Sequence, residues 1–356
     1  MHLADGRAQV KKTRALIPER AKRMIPLPSS MRAVVLDAVP AAPDALVVRE
    51  RPVPQPEPGW VLIEVKAFGL NRSELKTRLG LADPDVTLPR VPGIEATGVV
   101  AACPGGELAV GQQVVAMMGG MGRSFDGGYA QFTCVPVAQA IPFRSELPWT
   151  TLGAVPETLQ TAYGALTVGL DLQPGQTLLI RGGTSSVGLT AAILAKRRRL
   201  TVLATTRSQA KAGALREAGA DHVVVDDGAI AARARELVPG GVDATLELVG
   251  TPTLRDSLEA TRVHGVVCSA GYLSNEWIVP DFYPADFLPN GVRLTGYSGD
   301  ATDLPQAVLQ EFLDAVAAGE ATVPIAKTYT MDEIATAHDD MEHDRVAGKL
   351  VVSTER

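Results

Sequence analysis

The sequence predicts an α/β protein in which a doubly wound parallel sheet follows a mostly β domain. Three observations predict it. Residues 178–188, LLIRGGTSSVG, carry an apolar strand into a small-residue turn and then into a helix-like run through Leu189, Ala191, Ala192, Ile193, Leu194 and Ala195. After Pro156, short apolar strands alternate with helical stretches, the pattern that builds a parallel sheet flanked by helices. Before it, from Met31, short strands are punctuated by proline and glycine.

In order, the first domain opens with a strand at residues 31–37 and another at 45–50, and the proline-rich run 51–59 leads into a third at 61–69. Strands follow at 93–103, 111–118 and 129–136, with Asp126, Gly127 and Gly128 as a turn. Residues 159–168 read as a helix. The strands of the second domain are 177–180, 201–205, 222–225, 244–248, 266–269 and 293–296, separated by helical stretches such as 208–218. Residues 304–318 form an amphipathic helix, and AGKLVVS (347–353) is a last strand returning to the first domain.

The chain has 356 residues, 46% of them hydrophobic, enough to bury two cores. Its formal net charge of −6 argues against a nucleic-acid partner, which would require a basic face. No apolar run is long enough to cross a bilayer and no secretion signal opens the chain, so the expected location is cytoplasmic, without a membrane partner. Cys103, Cys134 and Cys268 are far apart and read as reduced core residues. Residues 1–30 hold seven basic residues (Arg7, Lys11, Lys12, Arg14, Arg20, Lys22, Arg23) against Asp5 and Glu19, a local charge of +5. They are set outside the fold as a flexible basic extension or a leader before a start at Met31; a basic docking arm is the alternative.

A sharp strand-to-helix turn leaves the first amides of the helix unpaired, with the positive end of the helix dipole behind them, and a pyrophosphate fits there. The dinucleotide fingerprint G-x-G-x-x-G is met at Gly183, Ser185 and Gly188, with serine at the second glycine; Thr184, Ser186 and Val187 complete the turn. Taken alone, this also fits a generic βα turn. At the end of the second strand an NAD site places a carboxylate for the ribose hydroxyls, whereas this chain offers Thr205, Thr206, Arg207 and Ser208, then Lys211. A guanidinium forks onto a phosphate and an ammonium supports it as a point charge, so the expected cofactor is NADPH; a solvated basic turn is the alternative. Arg197, Arg198 and Arg199 sit at a helix end, where cations complement the dipole, and are given no binding role.

Six motifs in order, AFGLNRSEL (67–75), VPGIEATGVV (91–100), GGYAQF (127–132), LQTAYGAL (159–166), the Gly183 turn and AGKLVV (347–352), resemble the medium-chain dehydrogenase/reductase superfamily. Within it the likeness is to the zinc-independent quinone oxidoreductase branch, the family of ζ-crystallin. The resemblance implies a GroES-like, mostly β catalytic domain over residues 31–157 and 299–356 and a Rossmann NADPH-binding domain over 158–298. It implies that Thr161 lies near the nicotinamide carboxamide, that Val249, Gly250, Ala270, Gly271 and Tyr272 line the nicotinamide end, and that Arg345 and Lys349 reach the cofactor from the return strand. The zinc enzymes of the superfamily place a ligand Cys and a ligand His where this chain has Asn71 and Ile94, so no metal is expected.

The function so implied is hydride transfer from NADPH to a small quinone or α,β-unsaturated carbonyl, with negative charge developing on the acceptor oxygen. Asn71 is the candidate donor to that oxygen and Tyr163 a candidate proton source or flat wall. The alternatives are a structural Asn71 and a Tyr163 packed between domains. An NADPH-binding sensor or structural protein with little turnover is the rival function. Pocket shape is left to residues 117–125 and 272–284. A homodimer is expected, because residues 293–298 read as an outer strand whose N–H and C=O groups need covering. The apolar residues Trp277, Ile278, Val279, Phe282, Tyr283, Phe287 and Leu288 would cross its two-fold axis; their alternative is to fold back as a lid.

Overall fold

The computed structural model describes residues 27–81 and 86–355. The basic segment, through residue 26, lies outside the described residues. The strands are β1 (Ser30–Val35), β2 (Val47–Pro52), β3 (Trp60–Gly69), β4 (Glu95–Ala102), β5 (Gln113–Met117), β6 (Phe132–Pro136), β7 (Ala140–Pro142), β8 (Thr177–Arg181), β9 (Thr201–Thr206), β10 (His222–Val225), β11 (Val242–Glu247), β12 (Thr261–Ser269), β13 (Arg293–Gly296), β14 (Ile325–Thr330) and β15 (Lys349–Ser353). The helices are α1 (Arg72–Arg78), α2 (Trp149–Leu152), α3 (Pro156–Gly164), α4 (Ser186–Arg197), α5 (Ala212–Glu217), α6 (Ala231–Leu237), α7 (Thr251–Ala260), α8 (Pro284–Phe287), α9 (Gln306–Ala317) and α10 (Ile334–Glu342).

β8 to β13 form one all-parallel sheet in the order β10-β9-β8-β11-β12-β13. Counted along the chain this is 3-2-1-4-5-6, the order of a doubly wound dinucleotide fold, with its crevice where the order reverses between β8 and β11. Helices cover both faces, so the central strands are apolar on both sides; Leu178, Leu179, Ile180, Val202, Leu203 and Ala204 are all fully buried. The other sheet is mostly antiparallel, in the order β14-β15-β3-β4-β5-β7 with β6 on β3, and β1 and β2 pair as a hairpin. The expected return strand is β15, which places Val351 opposite Gly69 of β3. β14 and α10 were not legible: IAKTYT buries only Tyr329, too little alternation to announce a strand. Of the three free cysteines only Cys268 is buried; Cys103 and Cys134 are half-buried, which corrects their reading as core residues. Among the described residues no helix is long and apolar enough to cross a membrane.

α10 carries His338 into the core of the antiparallel unit, where its Nε2 lies 3.2 Å from the hydroxyl of Tyr129, itself stacked on Phe68. Burial, reinforced by the charge of Arg78, pushes the imidazole down from 6.5 to about 3. The folded protein therefore keeps His338 neutral while the unfolded chain takes up a proton below 6.5, so stability falls as pH falls through the window from 6.5 to 3. Between pH 7.5 and 5 this one group costs about 2 kcal/mol. His338→Gln, which cannot titrate, is expected to show a smaller loss of urea midpoint between those two pH values than the wild type; an equal loss would remove His338 as the cause.

Candidate functional site

At the end of β8 the chain turns through Gly182, whose φ of +80° is left-handed. Gly183, matched to the fingerprint's first glycine, the one that allows the tight turn, has no such φ, so that role moves to Gly182. Gly183 is small for another reason: a Cβ there would stand 3.0 Å from the carbonyl oxygen of Thr205. The turn hangs on the end of β9, with Gly183 N donating to Thr205 O (3.0 Å) and Gly182 N to Thr205 Oγ1 (3.1 Å). Ser185, at the second-glycine position, caps α4: its Oγ accepts from Gly188 N (3.1 Å) and donates to Gly182 O (2.9 Å). A Cβ on Gly188 would lie 2.6 Å from Gly183 O and 2.7 Å from Gly182 O, so no side chain fits between helix and turn. Thr184, Ser186 and Val187 are left half-exposed at the positive end of α4, with first-turn amides outside the intrahelical ladder, a geometry suited to phosphate.

Behind the turn, Arg181 is wholly buried, forked onto Asp226 (2.6 and 2.9 Å) and paired with Asp256 of α7. It braces the end of β8 against the end of β10. Beside it, burial pushes the carboxyl of Glu247 up against donors that favour its charge: Ser257 Oγ (2.5 Å), Val249 N (2.7 Å) and Gly250 N (3.1 Å). The amides of Ala270 and Gly271 share the backbone carbonyl of Glu247, at 3.0 and 3.3 Å. A Cβ on Gly182 would meet Leu273, Leu248 and Val249. The loops after β8, β11 and β12 thus adjoin at the carboxyl ends of the strands, bringing Val249, Gly250, Ala270, Gly271 and Tyr272 beside the turn at the switch point.

At the end of β9, Thr206 Oγ1 bonds Ser208 O and N (3.1 and 3.2 Å). Arg207 extends into solvent and lies 2.7 Å from Asp344, while Lys211 Nζ donates to the backbone carbonyls of Asp344 (2.8 Å) and Val346 (3.4 Å). Arg345 is turned back onto Asp339 and Asp340 instead of toward β9.

A second cluster sits below α1. Lys349 is 1% exposed; its Nζ lies 2.5 Å from Asn71 Oδ1, 2.7 Å from Glu95 Oε1 and 3.5 Å from Glu157 Oε2. Gly69 makes room, since a Cβ there would overlap both Lys349 and Glu95. Glu95 Oε2 accepts from Glu157 N (2.9 Å), and Thr161 Oγ1 donates to Glu157 Oε1 (2.9 Å). Burial opposes the charge on Lys349, but the neighbouring carboxylates of Glu95 and Glu157 outweigh it and hold the ammonium above its usual value. Burial raises Glu157 despite Lys349, and pushes Glu74 up to about 7 against the amides of Ile94 and the helix start.

Three sequence expectations are corrected by this geometry. Lys349 is an interior ammonium among carboxylates and not a surface cofactor contact. Asn71 is not free to reach an acceptor: its Nδ2 donates to Glu95 (3.0 Å) and Glu74 (3.4 Å), and its Oδ1 holds Lys349. Tyr163 stands under the guanidinium of Arg198, 5.4 Å from its ring centroid, at the far end of α4 from the turn, roughly 18 Å along the helix at 1.5 Å per residue. A residue that the sequence did not single out is Lys76 of α1, whose Nζ stands 5.2 and 4.8 Å over the rings of Tyr272 and Trp277. Burial, then the nearby charges of Arg123 and Arg72, push it down to about 8. The four-residue spacing from Arg72, which puts both on one side of α1, was the available signal. Two cavities lie elsewhere, one lined by Trp60, Phe125 and Cys134, the other beside Asp243 and His264 at the amino ends of strands.

A phosphate-ready turn at the switch point of a 3-2-1-4-5-6 sheet, joined to an antiparallel domain that the chain leaves and re-enters, defines an NAD(P)-dependent oxidoreductase. Residues 57–145 match the alcohol dehydrogenase GroES-like domain family, and residues 218–352 the family described as zinc-binding dehydrogenase. The chain belongs to the medium-chain dehydrogenase/reductase superfamily, in its zinc-independent quinone oxidoreductase branch. It is 29% identical over 319 residues to a probable quinone oxidoreductase of Schizosaccharomyces pombe, covering 86% of this chain and 92% of that one. It is 27% identical over 327 residues to a 2-haloacrylate reductase of a Burkholderia species, covering 87% and 95%. The solved structure of a mycobacterial protein complexed with NADPH superposes with a TM-score of 0.79 at 27% identity, over 91% of this chain and 100% of that one. The residues here do not fit zinc: Ile94 offers no donor atom, Asn71 is bonded to an ammonium, and among the described residues no three His, Cys, Asp or Glu gather to hold a metal ion.

Removing the ammonium tests the cluster. Lys349→Met leaves Glu95 and Glu157 facing each other without a counter-ion, and is expected to destabilise the fold by about 3–5 kcal/mol. The loss should be smaller at pH 5 than at pH 8, because the unpaired carboxyls then bind protons, and Glu95→Gln added to Lys349→Met should recover part of it. Urea unfolding of the three proteins at both pH values checks this; an unchanged midpoint in Lys349→Met would show that the ammonium carries no such role.

Proposed function

We propose that the protein is a zinc-independent, NADPH-dependent reductase that delivers hydride to a quinone or an α,β-unsaturated carbonyl. The observation that carries this reading is the capped, half-exposed turn at Gly182–Gly188 next to a β9 end that offers Arg207 and Lys211 and no carboxylate of its own. The names of the similar proteins, a quinone oxidoreductase and a 2-haloacrylate reductase, and the NADPH complex of the mycobacterial structure support it. NADPH supplies the hydride when bound. The amides of Thr184, Ser186 and Val187 receive the pyrophosphate, and Arg207 and Lys211 the 2′-phosphate, with Thr206 and Ser208 beside them. Val249, Gly250, Ala270, Gly271, Tyr272 and Thr161 hold the nicotinamide end. Lys76 and Arg123 meet the negative charge that develops on the acceptor oxygen, and the proton comes from solvent. Asn71 positions α1, and through it Lys76, by tying the helix start to Lys349 and Glu95. A cytoplasmic location belongs to this reading.

NADPH is expected to bind at least about tenfold more tightly than NADH, a difference of roughly 1.4 kcal/mol, and to be oxidised in the presence of a quinone or enone. Fluorescence titration with both cofactors, and absorbance of NADPH against a panel of acceptors, measure this. Equal affinities, or a preference that survives Arg207→Ala with Lys211→Ala, would refute the assignment of the phosphate. The homodimer is also part of the proposal: β13 is the outer strand of the parallel sheet and largely exposed, and Ile278 (80% exposed), Phe282 and Tyr283 stand bare beside it. Tyr297 is buried against Gln160 and Asp303 and so does not belong to that surface. Light scattering is expected to give a dimer that Ile278→Asp with Tyr283→Asp converts to monomer; a wild-type monomer would refute it.

A further inference from the structure

Asp344 lies between α10 and β15, with a left-handed φ of +50°. Its carboxylate bridges the two units of the fold: one oxygen pairs with Arg72 of α1 and the other with Arg207 at the end of β9, at 2.7 Å. Its backbone carbonyl accepts from Lys211 at 2.8 Å. Three cations therefore converge on one acidic residue, and among the described residues Asp344 is the acid that Arg72 and Arg207 meet. A carboxylate and a phosphate both offer a guanidinium charged oxygen acceptors, and here one carboxylate oxygen meets each of two guanidiniums, so a site that holds one anion can hold the other, but not both at once.

We propose that Asp344 sets the cofactor discrimination of this protein: its carboxylate fills the anion slot between Arg72 and Arg207, with Lys211 on the backbone beside it, and a 2′-phosphate enters only by displacing it. The proposal rests on the assignment of Arg207 and Lys211 to the 2′-phosphate. A cofactor with a free 2′-hydroxyl leaves the bridge in place and loses nothing. A 2′-phosphate breaks both ion pairs, and its own charge repels the displaced carboxylate. Asp344 therefore works against NADPH alone and narrows a preference that the cations would otherwise make wide. Both pairs are partly exposed, which limits the effect to about three- to tenfold in affinity.

Asp344→Asn tests this, because asparagine keeps the size of the side chain, removes its charge, and tolerates a left-handed backbone. NADPH and NADH are titrated against the full-length wild type, Asp344→Asn and Arg207→Ala. The expected result is that Asp344→Asn tightens NADPH by about three- to tenfold and moves NADH less than about twofold, while Arg207→Ala weakens NADPH. If Asp344→Asn leaves the ratio of the two affinities unchanged while Arg207→Ala weakens NADPH, the role of Asp344 is overturned and the phosphate assignment stands. If Asp344→Asn weakens NADH, the carboxylate is a ribose acceptor and the proposal is likewise overturned. If Arg207→Ala leaves NADPH binding untouched, the phosphate assignment fails and the proposal falls with it.

Discussion

The arrangement of the site depends on one buried ion pair, Lys349 with Glu95. An ammonium at 1% exposure cannot remain charged in a low-dielectric interior unless carboxylates and hydrogen-bond acceptors surround it, and this one has Glu95, Glu157 and Asn71. Those partners come from the start of α1, β4 and α3, so satisfying one charge on β15 fixes three other pieces of backbone at once. The last strand of the chain is thereby locked to the first domain. Asn71 begins α1 and Glu157 lies in the first turn of α3, so the same contacts orient Lys76 one way and Thr161 another. A buried ion pair is weak evidence of net stability, because its desolvation cost is of the order of its attraction. It is strong evidence of geometry, because the alternatives all leave a charge unpaired.

What was legible in the sequence is what local physics decides. The turn at 182–188 requires small residues and a helix cap whatever the rest of the chain does, and alternating apolar runs had to make a parallel sheet covered on both faces. Even there the placement slipped by one residue, because GG at 182–183 does not reveal which glycine takes the left-handed φ and which one faces a carbonyl. What was not legible depends on partners distant in sequence. Lys349 reads as an edge charge in AGKLVV, and only the fold brings Asn71, 278 residues away, to its Nζ. Arg181 reads as the polar end of a strand, yet it is wholly buried by Asp226 and Asp256.

Asn71 and Tyr163 show why a motif position is not a role. Both occupy places where the family resemblance suggests chemistry, but a side chain acts on a ligand only with the hydrogens and orbitals that the protein has not already used. Both amide hydrogens of Asn71 are committed to Glu95 and Glu74. Tyr163, on α3, packs under Arg198 at the far end of α4, the helix whose near end is the phosphate turn. Donor inventory and direction along the helix axis are properties of the folded chain, and neither can be read from residue type and spacing.

The charge distribution ties these features together. The chain is net negative, yet Arg72, Lys76, Arg123, Arg207 and Lys211 gather where the two units meet, and Lys76 is depressed first by burial and then by the charges of Arg123 and Arg72. Such a concentration of cations opposes folding unless something negative is close by. Among the described residues Asp344, on a short turn between α10 and β15, is the carboxylate that pairs with Arg72 and Arg207. A single carboxylate leaves most of the positive potential unspent, and that surplus draws an anionic cofactor toward a surface that elsewhere repels it. The end of β9 carries no acid of its own: an aspartate there would neutralise the field permanently, whereas Asp344 comes from the other unit and, in the proposal above, gives way to a stronger anion.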